Sequence, residues 1–261
     1  MEGVLVGVCA LLGLVFGSFA NVVVHRVPAG RSVARPPSAC PSCDARVRPM
    51  DNVPVVSWLL LRGRCRDCKE PIGVRYPAVE LAAAALFAAV AVRFGLDWAL
   101  PGYLLFAWTL LVVALIDAAT RRIPNRLTYP LTPALGVLLV AAALLHGEAG
   151  VALRAVLGGV AGFGALLVLA LISPRGMGMG DVKLAAFLGI GLGYLGWGHV
   201  VLGLFGGFFL GGIVALVLLA VRIRERKDFL PFGPYLALSS LATVLIGRFV
   251  IDAYLRASGV G

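Results

Sequence analysis

Two aspartates lie at the ends of long apolar stretches in this chain of 261 residues. Asp117 follows the apolar run 110–116, and Asp181 follows a glycine-rich segment and opens the next apolar run. A carboxylate at or inside a bilayer boundary is energetically costly, so it is by default a hypothesis for a functional site. Two carboxylates that share one proton are the basis of aspartic proteolysis. The pair is therefore a candidate catalytic site, provided that the fold brings the two side chains together.

Each aspartate also has a structural interpretation. Asp117 could be a helix-end carboxylate paired with Arg121 or Arg122, and Asp181 could be a helix N-cap. If both are catalytic, the helix dipole favours an ionised Asp181 at a helix start and a protonated Asp117 near a helix end. On this argument we expect Asp181 to be the base and Asp117 the acid.

The elements that must position these residues are membrane helices. The chain is 60% hydrophobic and 14% charged, with a mean hydropathy of +0.96, whereas soluble domains are about 25% charged. Apolar stretches long enough to approach the roughly 20 residues of a membrane crossing are typical of a polytopic membrane protein. The sequence therefore predicts an all-α polytopic fold with about eight transmembrane helices. They cover 3–24, 77–95, 98–117, 129–146, 150–172, 182–198, 199–221 and 233–255.

The distribution of Lys and Arg predicts the orientation. The first apolar run carries Glu2 in place of a basic region and lacks a small-residue cleavage site, so we expect an uncleaved anchor whose N-terminus is outside. Four segments then face the cytoplasm, and they hold 19 of the 23 Lys and Arg residues, as the positive-inside rule requires. Both aspartates lie on that side, and the net charge of +10 needs no nucleic-acid partner. The segments are 26–75, 117–127, 173–183 and 222–228.

The longest hydrophilic segment, 26–75, contains two CxxC pairs separated by 21 residues. Two such pairs can supply four thiolates to one tetrahedral ion, which is typical of a structural zinc site. Disulfides are the alternative, and a cytoplasmic location disfavours them. We therefore expect a zinc-stapled insert between helices 1 and 2, whose basic surplus attracts anionic lipid. The predicted ligands are Cys40, Cys43, Cys65 and Cys68.

Three smaller features have structural interpretations. Glycines spaced by four residues, as in 158–162, 189–193 and 203–211, predict close packing of membrane helices. Cys9 lies in the first helix and is interpreted as inert packing. Glu80 is placed in the first turn of the second helix, where the dipole favours an acid; contact with a substrate or cofactor is the alternative.

Beyond these features, the chain resembles the type IV prepilin peptidases almost from end to end. The resemblance rests on both CxxC pairs, on the segments around Asp117 and Asp181, and on further short motifs. One departure is Ala20, where the family usually has leucine. The matching motifs lie at 16–21, 25–28, 51–57, 61–65, 75–80, 123–125, 178–183 and 231–234.

The resemblance implies a bacterial inner-membrane aspartic endopeptidase. It would remove the leader of prepilins or pseudopilins on the cytoplasmic side, with Asp117 and Asp181 as the catalytic pair. Many family members also methylate the new N-terminus with S-adenosylmethionine, an activity associated with the cytoplasmic insert, so we expect a second activity here. No methyl-donor motif is recognisable in the sequence.

The expected domain organisation has three parts: helix 1 over 1–25, the zinc-knuckle insert over 26–75 and a seven-helix membrane protease domain over 76–261. Two other function classes remain open at this point. A proton-coupled transporter could use the two carboxylates as a relay, although such sites usually lie near the bilayer midplane in repeated halves. A metal-stapled assembly scaffold could carry them as structural groups.

Overall fold

The structure is a computed structural model that describes residues 1–173, 177–221 and 231–259. Within these residues the elements are helices, with two isolated β-bridges and no β-strand, which confirms the all-α class. The chain divides into two compact units, 1–96 and 97–261. The predicted cytoplasmic segment 222–228 and the residues 174–176 of another lie outside the described residues.

Each of the eight predicted apolar stretches coincides with a helix in the described residues. Seven of these helices are long and apolar enough to cross a membrane, so the protein is a multi-pass membrane protein. The remaining helix, α7, has 17 residues and is short for a full crossing. These eight helices are α1 (Glu2–Arg26), α3 (Arg75–Phe94), α4 (Leu100–Thr120), α5 (Asn125–Leu145), α6 (Ala149–Ile172), α7 (Met179–Leu195), α8 (Trp197–Ala220) and α9 (Gly233–Ala257).

In the first unit, α1 and α3 pack closely along glycines. A Cβ at Gly13 would lie 2.6 Å from the Cα of Ala84, and one at Gly17 would lie 2.6 Å from the Cα of Glu80. Between the two helices runs the insert, which includes the short helix α2 (Val56–Leu60) and a 3-10 turn over Pro49–Asn52. Helix α3, expected in the protease domain, therefore belongs to the compact unit that contains α1 and the insert.

In the second unit, the predicted glycine rows do bring helices together. Gly158 on α6 lies directly against Gly189 on α7, and a Cβ at Gly162 would be 2.5 Å from the carbonyl oxygen of Ala185. On α8, a Cβ at Gly207 would be 2.9 Å from the Cα of Leu236 on α9. Because side chains are missing at these contacts, the backbones of neighbouring helices approach each other closely.

The border between α7 and α8 is a single glycine. Gly196 has a φ of +147°, a backbone conformation that residues with a Cβ rarely adopt. It ends α7 and serves as the N-cap of α8. The uncertain boundary between the sixth and seventh apolar stretches is thus a sharp turn at one residue.

Candidate active site

Asp117 lies in the last turns of α4 and is 4% exposed. Its Oδ2 accepts a hydrogen bond of 2.9 Å from the backbone N–H of Gly233, the first residue of α9. Among the ion pairs of the described residues, none joins Asp117 to Arg121 or Arg122. The interpretation of Asp117 as an arginine-paired helix-end carboxylate is therefore wrong.

Asp181 lies in the first turn of α7 and is 8% exposed. The N-cap of that helix is Gly178, whose carbonyl accepts the backbone N–H of Asp181 at 3.0 Å. The N-cap interpretation of Asp181 is thus wrong as well. A Cβ at Gly180 would be 3.0 Å from the Cβ of Ile123, so the glycine lets the turn before Asp181 pack against the segment that follows α4.

The structure brings Asp117 and Asp181 together. The two carboxyl groups lie near enough for their charges to interact. Their helices are held side by side, because the hydroxyl of Tyr103 on α4 donates to the carbonyl of Gly191 on α7 at 2.7 Å. The rings of Phe106 and Phe187 stack between the same helices, with centroids 5.3 Å apart. A buried pair of carboxyl groups at two helix ends can act as an acid and a base.

Two further residues link the segments that carry the aspartates. Lys183 donates from Nζ to Oδ1 of Asn125 at 2.9 Å, and it lies 5.0 Å from the centroid of the Tyr129 ring. Sequence reasoning placed Lys183, Asn125 and Gly233 in matching motifs but gave them no role. Membership in these motifs was the only sign in the sequence that the three residues matter, because contacts between distant segments leave no local sequence pattern.

The four cysteines of the two CxxC pairs form one cluster, and their Sγ atoms all lie within 4.8 Å of one another. Cys40 and Cys68 are 3.7 Å apart at Sγ, close to the roughly 3.8 Å edge of a tetrahedral site with 2.3 Å zinc–sulfur bonds. All four are free thiols. The cluster could hold a metal ion, and its donor set is the one that zinc prefers in structural sites.

The two CxxC pairs, each of which forms a turn called a knuckle, make the same backbone hydrogen bond. The N–H of Cys40 donates to the carbonyl of Ala45 at 3.0 Å, and the N–H of Cys65 donates to the carbonyl of Glu70 at 2.8 Å. Backbone N–H groups of Ser42 and then Cys43 lower the pKa of the Cys40 thiol to about 7, which favours the thiolate, the form that binds metal. At Cys68 the backbone N–H of Glu70 lowers the pKa, but desolvation and the neighbouring thiols outweigh it and raise the pKa to about 12.

Glu80 fastens the insert to α3. It lies in the second turn of the helix, which begins at Arg75, so its predicted place in the first turn is wrong. Glu80 is 7% exposed, and its Oε2 accepts the backbone N–H of Val55 at 2.7 Å. Val55 has a φ of +61°, a strained conformation for a β-branched residue.

Comparison with known proteins gives two family matches, one in each compact unit. Residues 11–94 match the Bacterial Peptidase A24 N-terminal domain, and 104–216 match the Type IV leader peptidase family. Similar curated proteins are each named prepilin leader peptidase/N-methyltransferase. That of Pseudomonas aeruginosa is 36% identical over 95% of this chain and 93% of its own length. That of Bacillus subtilis is 34% identical over 94% of this chain and 96% of its own length. That of Neisseria gonorrhoeae is 35% identical over 90% of this chain and 88% of its own length. No solved structure matches the chain.

Proposed function

Because this chain belongs to the family of prepilin leader peptidases/N-methyltransferases, we propose that it is a membrane aspartic endopeptidase. It cleaves the leader from prepilins or pseudopilins, with Asp117 and Asp181 as its catalytic pair. The observation that carries this proposal is the buried meeting of the two carboxyl groups at the ends of α4 and α7. Neither carboxyl group takes part in an ion pair of the described residues.

The chemistry is the addition of water across a peptide bond. Two buried carboxyl groups whose charges interact can share one proton. The ionised member removes a proton from water, which attacks the scissile carbonyl, while the other member protonates the carbonyl oxygen. Collapse of the tetrahedral intermediate releases the leader with a new carboxyl end and the mature protein with a new amine. The reaction needs no covalent bond to the enzyme.

The assignment of the base to Asp181 loses part of its support. It rested on the opposite helix ends at which the two aspartates lie. Asp117, however, also faces the N-terminal end of α9 through the N–H of Gly233, and that end favours negative charge. We therefore treat the pair as one unit that holds one proton.

We further propose methylation of the newly exposed amine, since the relatives carry this activity in their names. The methyl group would pass from the sulfonium of S-adenosylmethionine to the amine nitrogen, which loses a proton. S-adenosylhomocysteine would be the second product.

For the insert we propose one structural zinc ion, bound by Cys40, Cys43, Cys65 and Cys68. Four thiolates leave no open coordination position, so the ion would fold the insert without taking part in catalysis.

For the location we propose the bacterial inner membrane, with the active site and insert facing the cytoplasm. The charge asymmetry supports this orientation. A basic insert would also rest against anionic lipid. The partners are then prepilin substrates and membrane lipid, without nucleic acid.

One experiment tests both activities. The purified protein is incubated with a membrane-embedded prepilin, with and without S-adenosylmethionine, and the N-terminus of the product is identified by mass spectrometry. We expect cleavage in both samples and a mass increase of one methyl group only with the donor. An uncut prepilin would refute the protease, while a cut but unmethylated product would refute only the methyltransferase.

A second experiment separates the protease from the two other function classes, by measuring prepilin processing in cells that carry Asn at Asp117 or Asp181. If the protein were a proton-coupled transporter or an assembly scaffold, processing would be unchanged. If it is a protease, processing would be lost.

A further inference from the structure

The start of α9 packs against glycines of α8. The ring of Phe232 packs against that of Phe208, with centroids 5.3 Å apart. A Cβ at Gly211 would be 3.2 Å from Cε1 of Phe232. Gly207 makes room in the same way for Leu236 one turn later. The glycine row on α8 therefore sets where the first turn of α9 lies.

The backbone N–H groups of that first turn can all be accounted for. Those of Tyr235 and Leu236 both donate to the carbonyl of Phe232, each at 3.1 Å. Pro234 has no N–H to donate. The N–H of Gly233 donates across the unit to Oδ2 of Asp117, 116 positions away in sequence. The N–H of Gly233, which has no acceptor within its own helix, is thus directed at the carboxyl group of Asp117.

The approach of Asp117 to this backbone leaves no room for a side chain. A Cβ at position 233 would lie 2.7 Å from Oδ2, 3.1 Å from Cγ and 3.2 Å from Cβ of Asp117. Contacts below 3.0 Å require something to shift, and here the carboxyl group is what stands in the way. Because Asp117 is held on one side by this donor, any displacement changes its orientation toward Asp181.

We propose that Gly233 is a positioning residue for the catalytic pair, and that the start of α9 is a third component of the active site. Its N–H aims Asp117 and stabilises the singly ionised pair, since a hydrogen bond to a carboxylate favours the charged form. The absence of a side chain permits that contact. The inference rests on the proposed proteolysis, because it assigns a role within that reaction.

The substitution Gly233→Ala tests the proposal. The backbone at Gly233 has no positive φ, so alanine adds no strain at φ, and the added methyl group meets Asp117. Because Pro234 also disfavours a side chain on the preceding helical residue, the binding measurement described below separates the displacement of Asp117 from a disturbance of the turn. Misplacement of a catalytic group by about 1 Å can cost about 100-fold in rate. We expect kcat for prepilin cleavage to fall about 100-fold with little change in KM. The matched control is Gly212→Ala on α8, where an added Cβ would meet nothing within 4 Å; its kcat should equal that of the wild type.

A loss of folded protein would also lower the apparent kcat, so prepilin binding is measured separately. In the Asp181→Asn background, which retains intact prepilin, the dissociation constant and binding stoichiometry are compared with and without Gly233→Ala. Unchanged binding together with the reduced kcat supports the positioning role. A kcat equal to that of the wild type, or a loss of binding capacity that matches the loss of kcat, would overturn it. A wild-type protein that does not cleave prepilin would instead defeat the proposed function itself.

Discussion

Lys183 donates to the side chain of Asn125 at 2.9 Å, and this contact joins the two segments that bear the aspartates. Lys183 follows Asp181 by two positions on α7, and Asn125 is the first residue of α5, just after the turn that follows Asp117. The ammonium group also lies 5.0 Å from the centroid of the Tyr129 ring. The starts of α5 and α7 are thus tied together two positions after Asp181.

The substitution Lys183→Met should weaken catalysis without abolishing it. A hydrogen bond to a charged group contributes about 1.5 kcal/mol or more, which corresponds to about a tenfold change in rate if it is expressed in the transition state. We expect kcat/KM for prepilin cleavage to fall by about this factor. The control is Arg248→Met, which removes the same charge from a side chain that is 78% exposed on α9. Equal effects of the two substitutions would show that only charge matters.

Replacing either aspartate of the proposed catalytic pair should stop proteolysis. Asp117→Asn and Asp181→Asn keep the size of the side chain, but one oxygen becomes an NH2 group that donates only and cannot exchange the proton that the reaction requires. Acid–base groups typically contribute about 100- to 10,000-fold, and we expect losses at the upper end because the pair acts as a unit. Cleavage is followed by mass spectrometry of the prepilin N-terminus.

The matched control for both is Asp252→Asn on α9, whose carboxylate pairs with Arg248 at 3.8 Å. It should cleave at the wild-type rate. The variants Asp117→Asn and Asp181→Asn should still methylate a pilin whose leader has already been removed. Normal cleavage by Asp117→Asn or Asp181→Asn would contradict a catalytic role for the substituted residue.

The zinc proposal predicts one zinc ion for each chain, measured by elemental analysis of the purified protein. Cys43→Ser should lower the zinc content sharply and make the insert sensitive to proteases, because metal binding supplies folding free energy. Cys9→Ser is the control, since Cys9 is buried in α1, outside the cluster, and its zinc content should match that of the wild type. Full occupancy of the Cys43→Ser protein would contradict a four-thiolate site.

The insert should also lose stability in acid through Asp51. Arg66 donates to both carboxylate oxygens of Asp51, at 2.8 and 2.6 Å, and this hydrogen bonding lowers the pKa of Asp51 in the folded insert. An acid with a lowered pKa stabilises the fold above its ordinary pKa of about 3.9. That stability is lost as the pH falls through the lowered value.

Acid also protonates the cysteine thiolates, so the comparison is between the wild type and Asp51→Asn. The wild-type insert should resist proteolysis better near neutral pH, and the difference should vanish at low pH. A difference that stays constant with pH would contradict an ionic contribution from Asp51.

The sequence predicted those features that depend on local composition. Each of the eight apolar stretches coincides with a helix, and each CxxC pair forms a knuckle, because hydropathy and short spacings are properties of neighbouring residues. The placement of α3 with α1, by contrast, depends on close backbone contact at Gly13 and Gly17. The contact of Gly233 with Asp117 joins positions 116 residues apart. A periodic pattern within one segment cannot predict which distant segment it will contact.

Glu80 illustrates the same limit and leads to a last prediction. The sequence offered a helix-dipole contact or a ligand contact for this residue, but the structure gives it the backbone N–H of Val55 at 2.7 Å. Val55 is held at a φ of +61°, and such strain persists only where surrounding contacts enforce it. The carboxylate is therefore an attachment point between the insert and α3.

Removing this attachment should loosen the insert and leave the helices in place. Glu80→Ala would leave a partly buried N–H without an acceptor, at a cost of about 1–3 kcal/mol, whereas Glu80→Gln retains a carbonyl acceptor and should cost less. We expect hydrogen exchange of the Val55 amide and proteolysis of the insert to be fastest in Glu80→Ala, slower in Glu80→Gln and slowest in the wild type. Leu81→Ala, at a neighbouring side chain that is 54% exposed, serves as the control. Unchanged exchange at Val55 in Glu80→Ala would show that the insert is held by other contacts.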